Sequence, residues 1–123
     1  MIHLDTSVLI DALTDPRRSA SLLRDAIARG ERVEVSALVL YEWRRGPRRP
    51  EEIAVQEALF PSESAVAFGP EEAKVAAQLF RSVARPRGRE IDLAIAACAI
   101  THGGSLWTLN SGDFRDVPGL TLI

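Results

Sequence analysis

The sequence holds one cysteine, Cys98. A single thiol excludes an internal disulfide framework and a cysteine-rich zinc site, and it fits a reducing compartment. Long hydrophobic runs are missing. The longest apolar stretch, Leu93 to Ile100, falls far short of the roughly 20 residues that a membrane helix needs. The N-terminus has no basic region, and Asp5 interrupts its apolar run, so no targeting segment is visible. A cytoplasmic protein with no membrane attachment is expected. Excess charge of one sign is missing too: the formal net charge of −2 excludes functions that need a strongly basic chain. Of the 15 basic residues only Lys74 is lysine, and no function is assigned to that skew by itself.

What remains is the composition of an ordinary globular protein, 46% hydrophobic and 26% charged, which argues against disorder. Its 123 residues suit one domain, 1–123, and leave no room for two. A chain of this length buries about two-thirds of its unfolded surface, enough for a core without staples.

Periodicity and punctuation divide the chain into alternating elements. Strands are expected at Ile2–Leu4, Val33–Val35, Ser64–Phe68, Leu106–Leu109 and Leu120–Leu122. A helix over Val8–Leu13 follows Thr6 or Ser7 as cap. Asp15-Pro16 marks a turn and a new helix start, and that helix ends at Gly30. Ser36 caps a helix carrying Leu38, Val39, Tyr41 and Glu42. Arg45 to Pro50, with two prolines and a glycine, is expected to be irregular. Glu51–Phe60 has an acidic first turn that suits the helix dipole. Gly69-Pro70-Glu71-Glu72 opens a helix to about Ala84. Ile91–His102, apolar nearly all round, reads as a buried helix. Strands alternating with helices imply a parallel sheet of four to five strands in an α/β fold, covered on both faces. Ligands in such sheets gather at the carboxyl ends of the strands.

Acids fall where that rule directs attention. Asp5 follows the first strand, Glu42 lies on the helix after the second, Asp92 is in the first turn of the buried helix, and Asp113 trails the Leu106–Leu109 strand. Carboxylates gathered at one sheet edge repel one another, and a divalent cation relieves the repulsion. Oxygen ligands suit Mg²⁺ or Mn²⁺ rather than zinc. Such an ion lowers the pKa of water and offsets charge on a phosphoryl group. Each acid also has a structural alternative: Asp5 as a helix cap, Glu42 in a solvated ion pair, Asp92 as a dipole partner and Asp113 as a turn residue.

Four segments resemble the motifs of the PIN domain family: Asp5-Thr6-Ser7-Val8-Leu9-Ile10; Glu42 with Gly46; Asp92-Leu93-Ala94-Ile95-Ala96-Ala97; and Thr108-Leu109-Asn110 with Asp113-Phe114. The closing Val117-Pro118-Gly119-Leu120 is also similar. Length and single-domain form resemble the VapC-type toxins of toxin–antitoxin pairs. The resemblance implies a three-layer α/β/α fold and a Mg²⁺- or Mn²⁺-dependent endoribonuclease. It makes Asp5, Glu42, Asp92 and Asp113 the catalytic, metal-binding acids, with Asp5 and Asp92 as direct ligands. Thr6, Ser7 and Asn110 become supporting polar groups. It further implies an RNA substrate, a cognate VapB-type antitoxin and a homodimer, formed through helices of the first half.

Two arginine clusters flank these acids: Arg44, Arg45, Arg48 and Arg49 after Glu42, and Arg85, Arg87 and Arg89 before Asp92. Arg44, Arg45, Arg87 and Arg89 are candidate phosphate contacts; ordinary solvated loops are the alternative. Tyr41 and Trp43 suit either base stacking or packing. Trp107, Cys98, His3 and His102 read as structural. Ser7, which stands where the second Asp of a haloacid-dehalogenase phosphatase would be, weighs heavily against such an enzyme. A receiver domain is excluded by the position of Lys74. The remaining alternatives are a PIN ribonuclease of RNA maturation and a catalytically silent binding domain.

Overall fold

The computed structural model describes residues 1–123. The elements follow in the order β1 (Ile2–Leu4), α1 (Thr6–Leu13), α2 (Ala20–Ala28), β2 (Val33–Glu34), α3 (Ala37–Arg45), α4 (Pro50–Leu59), α5 (Pro70–Ser82), α6 (Glu90–Thr101), β3 (Ser105–Trp107) and β4 (Thr121–Leu122). Short 3₁₀ turns cover Ser62–Ser64 and Ser111–Asp113. The four strands are all parallel, in the order β2-β1-β3-β4. The fold is therefore α/β, as the alternation of elements predicts.

Strand order decides where the helices go. The step from β1 to β2 runs one way across the sheet, and the return from β2 to β3 runs the other. Right-handed crossovers then put α1 and α2 on one face and the α5–α6 pair on the other. β1 and β3 lie side by side at the point where the direction reverses. Their carboxyl ends leave a crevice there.

The core explains why these segments hold. Val8, Leu9, Ala12 and Leu13 form the inner stripe of α1. Along α6, Leu93 through Ala99 is buried without interruption, as its all-round apolarity predicts. Small residues at Ala96, Ala97 and Ala99 let neighbouring backbones come close. Phe114 and Trp43 are fully buried, and Arg48 lies over the Trp43 ring at 4.3 Å, so Trp43 belongs to packing and not to base stacking. Tyr41 is exposed. Burial pushes the Cys98 thiol up to about 11, which makes it an inert core residue.

Several expectations are corrected. The strand expected at Ser64–Phe68 does not form. Only Val66 pairs there, bridging Ser36 in parallel, because the 3₁₀ turn takes Ser62–Ser64 and Gly69-Pro70 opens α5. The sheet therefore has four strands. No helix begins at Pro16; Arg17 adopts a φ of 58°, which a right-handed helix does not accept, and α2 starts at Ala20. The irregular stretch is shorter than expected: Arg45 is the last residue of α3, and Pro50 is the first of α4, where a missing N–H costs nothing. The strand before Asp113 stops at Trp107, because Thr108 turns to bond Asp5.

Candidate active site

Asp5 directly follows β1 and occupies the N-cap position of α1, yet its carboxylate does not cap that helix. It faces the crevice instead. Asp5 Oδ2 accepts from Ser7 Oγ at 2.9 Å and from Thr108 Oγ1 at 2.7 Å. The Asp5 N–H donates to the Trp107 carbonyl at 2.9 Å, continuing the β1–β3 ladder by one residue. With 5% exposure, Asp5 is a buried carboxylate held by two hydroxyls and paired with no cation. Ser7 Oγ also accepts from the Leu109 N–H at 3.1 Å, and Thr108 Oγ1 from the Asn110 N–H at 3.0 Å. The two loops leaving β1 and β3 are thereby knitted together around one carboxylate.

Glu42 arrives from α3. Ser36 starts that helix by accepting from the Val39 N–H at 3.2 Å. Trp43 points into the core, which turns the preceding Glu42 toward α1. Thr6 Oγ1 donates to Glu42 Oε1 at 2.6 Å, and Arg45 approaches Oε2 at 3.4 Å. Asp92 arrives from the first turn of α6. Burial pushes its carboxyl up to about 6, aided by the negative charges of Asp5, Glu42 and Asp113, while Arg89 pulls weakly the other way.

A cleft of about 350 Å³ is lined by Asp5, Thr6, Ser7, Ile10, Glu42, Arg45, Asp92 and Asn110. Three of the four predicted acids and all three supporting polar groups therefore share one cavity. Asp113 does not line it. That residue is exposed and lines an adjoining recess with Ala84, Arg85, Arg89, Gly112 and Asp116. Its charge still reaches Asp92.

The arginine clusters are largely committed to other partners. Arg44 pairs with Glu57 at 3.0 Å, and Arg49 with Glu52 at 3.3 Å. Arg45 reaches the cleft, and Arg87 is exposed and forms no ion pair. Arg89 is taken by Asp116 at 2.6 Å. Thr108 and Asp116 are the two residues of the region that sequence reasoning did not single out. Thr108 lies within the fourth motif, so its neighbourhood was legible, but its bond to Asp5 was not.

The donor set is oxygen-only: buried or half-buried carboxylates with hydroxyls behind them. Such a set fits a hard divalent cation and not zinc or copper. As the side chains stand, no three acids close around one point; both Glu42 oxygens are engaged by Thr6 and Arg45.

A parallel α/β fold with these acids at its reversal point defines a class of protein. The chain belongs to the PIN domain family, whose model matches residues 2–120. Ribonuclease VapC19 of Mycobacterium tuberculosis is 32% identical over 119 residues, covering 95% of this chain and 94% of that protein. This likeness sets the chain beside the VapC-type members, as its length and single-domain form imply. Among solved structures, VapBC2 from Rickettsia felis, bound to a DNA fragment from its promoter, matches with a TM-score of 0.82 at 22% identity. That match covers 100% of this chain and 98% of the other. FitAcB from Neisseria gonorrhoeae gives 0.76 at 25% identity, covering 100% and 96%. No helix of the chain is long and apolar enough to cross a membrane.

Proposed function

We propose that this chain is a divalent-metal-dependent endoribonuclease, the toxin of a VapBC-type toxin–antitoxin pair. One observation carries the reading: Asp5, Glu42 and Asp92, from three distant stretches, line one cleft where β1 and β3 end. Burial, reinforced by the negative charges of Asp5, Glu42 and Asp113, pushes the Asp92 carboxyl up to about 6. A site built at that cost to its own carboxylates is built for a cation. The kinship with Ribonuclease VapC19 supports RNA as substrate. The fold shared with VapBC complexes supports a VapB-type antitoxin as partner. A homodimer and a cytoplasmic location belong to the same reading.

Asp5, Asp92 and Glu42 would hold Mg²⁺ or Mn²⁺, with Asp113 completing the negative field. Bound there, such an ion lowers the pKa of water and offsets charge on the phosphodiester. The chain's own groups supply order. Ser7 and Thr108 fix Asp5 in one rotamer, and Thr6 fixes Glu42. Arg45, at the cleft wall, provides a cation for a neighbouring phosphate. The titratable side chains lining the cleft are Asp5, Glu42, Asp92 and Arg45.

Cleavage of a mixed RNA pool with Mg²⁺, with Mn²⁺ and with chelator tests the reading, beside Asp5→Asn and Asp92→Asn. Metal-dependent cutting lost in both folded variants is the expected result. Cutting that survives chelator or both substitutions overturns it.

A further inference from the structure

Arg89 immediately precedes α6 and stands 27 positions from Asp116. Its guanidinium meets Asp116 edge to edge, Nη2 to Oδ1 at 2.6 Å and Nη1 to Oδ2 at 2.9 Å. Nη2 also donates to the main-chain carbonyl of Asp113 at 2.8 Å, and Nη1 to that of Arg85 at 3.4 Å. The Arg89 side chain is 21% exposed. Its backbone is equally occupied: the N–H donates to the Pro86 carbonyl at 3.0 Å, and its carbonyl accepts from the Leu93 N–H at 2.9 Å. A planar, two-pronged pair of this kind fixes orientation as well as distance. With these donors engaged, the group is poorly placed to take a phosphate.

The pair joins the start of α6 to the segment after β3, and each carries an acid of the proposed site. Asp92 follows Arg89 within the first turn of α6. Asp113 closes the 3₁₀ turn after β3, where its N–H donates to the Asn110 carbonyl at 2.9 Å. Its side chain is exposed, so nothing in the core holds the carboxylate in place. Its main chain is anchored by buried Phe114 beside it, by the N–H bond to Asn110 and by the Arg89 bond to its carbonyl.

We propose that Arg89 and Asp116 are positioning residues, a clasp that sets where the Asp113 carboxylate stands relative to Asp92. The proposal rests on the nuclease reading. It assigns Arg89 to site geometry and not to RNA binding, and it gives Asp116 a role in the reaction.

The test is a double-substitution cycle read two ways: steady-state RNA cleavage, and Mn²⁺ affinity by electron paramagnetic resonance. Asp116→Asn and Asp113→Ala are made singly and together, with circular dichroism to check folding. Asp116→Asn is expected to lower kcat about tenfold with KM nearly unchanged, and to weaken Mn²⁺ binding. In the Asp113→Ala background it should have no further effect on either readout, because the two act as one unit. Additive losses overturn the proposal. So does a selective, salt-dependent rise in KM, the signature of a phosphate contact, or an Asp113→Ala protein that is unaltered in both readouts. If Asp116→Asn fails to fold, Arg89→Lys enters the same cycle with the same criteria. A parent protein that binds Mn²⁺ yet cuts no RNA removes the nuclease reading, and the Mn²⁺ cycle still decides the clasp. One that does neither overturns both.

Discussion

The Thr108 hydroxyl donates to Asp5 Oδ2 at 2.7 Å, tying the first residue beyond β3 to the first residue beyond β1. Both groups are buried. A bond to a buried charge is worth about 1.5–3 kcal/mol, more than a neutral one. Thr108→Val keeps the shape and removes the donor, so RNA cleavage should fall at least about tenfold, with a lower melting temperature. Thr108→Ser should retain most of both. Melting curves and cleavage rates on the two variants check this.

Asp92 gives a stability prediction of unusual sign. Its folded pKa of about 6 lies above its ordinary value of 3.8, so folding favours the protonated form. That contribution is complete below the ordinary value and is lost as pH rises through about 6. Asp92→Asn should therefore raise the melting temperature of metal-free protein at pH 7.5 while abolishing cleavage. The difference between variant and parent should shrink as pH falls from 7 to 4. Calorimetry in chelator measures it; a variant that melts lower at pH 7.5 contradicts the account by burial and neighbouring charge.

Metal binding must compete with that proton. Saturating Mg²⁺ should raise the melting temperature more at pH 7.5 than at pH 5.5. Asp5→Asn should lose most of the rise at both. Thermal shifts across a Mg²⁺ series give the comparison directly.

His3 responds in the opposite direction. It is buried in β1, with Nδ1 unpartnered, and burial lowers its pKa despite the pull of Glu34. The unfolded chain then takes up a proton more readily than the folded one. Stability due to this group is full above about 6.5 and is lost as pH falls from there through the lowered folded value. His3→Leu should flatten the fall in melting temperature below that pH, measured in an Asp92→Asn background to remove the opposing effect.

Gly104 is required by its neighbour. A Cβ there would stand 2.6 Å from His3 Cδ2 and 3.2 Å from the Met1 carbonyl. His3 is buried in β1 and the Met1 carbonyl is backbone held by the Ser105 N–H, so Gly104→Ala should cost about 1–3 kcal/mol. Gly112→Ala, which meets nothing, should be nearly silent. Urea denaturation of the two variants separates them.

Particular residues show how far the sequence could be read. The buried character of α6 followed from an apolar pattern with no polar face, because a helix without such a face must be covered on all sides. The Gly69-Pro70-Glu71-Glu72 start of α5 was equally plain, since capping is local chemistry; the Gly69 N–H donates to Glu72 at 2.9 Å. The Ser64–Phe68 strand was misread because a short β-prone run has no period long enough to distinguish pairing from a single bridge. The alternation of strand and helix, the candidate acids and their family motifs are thus properties of the chain itself, set by local propensity and spacing.

Tertiary structure decided the rest. Asp5 was free to cap α1 until Ser7 and Thr108 drew its carboxylate into the cleft. Arg44 and Arg89, candidate phosphate contacts by position, were given Glu57 and Asp116 as ion-pair partners by the fold. Asp113, the fourth candidate acid, stands in the next recess. Such partnerships span long stretches of chain, and they depend on angstrom-scale distances that only strand order, crossover direction and packing determine.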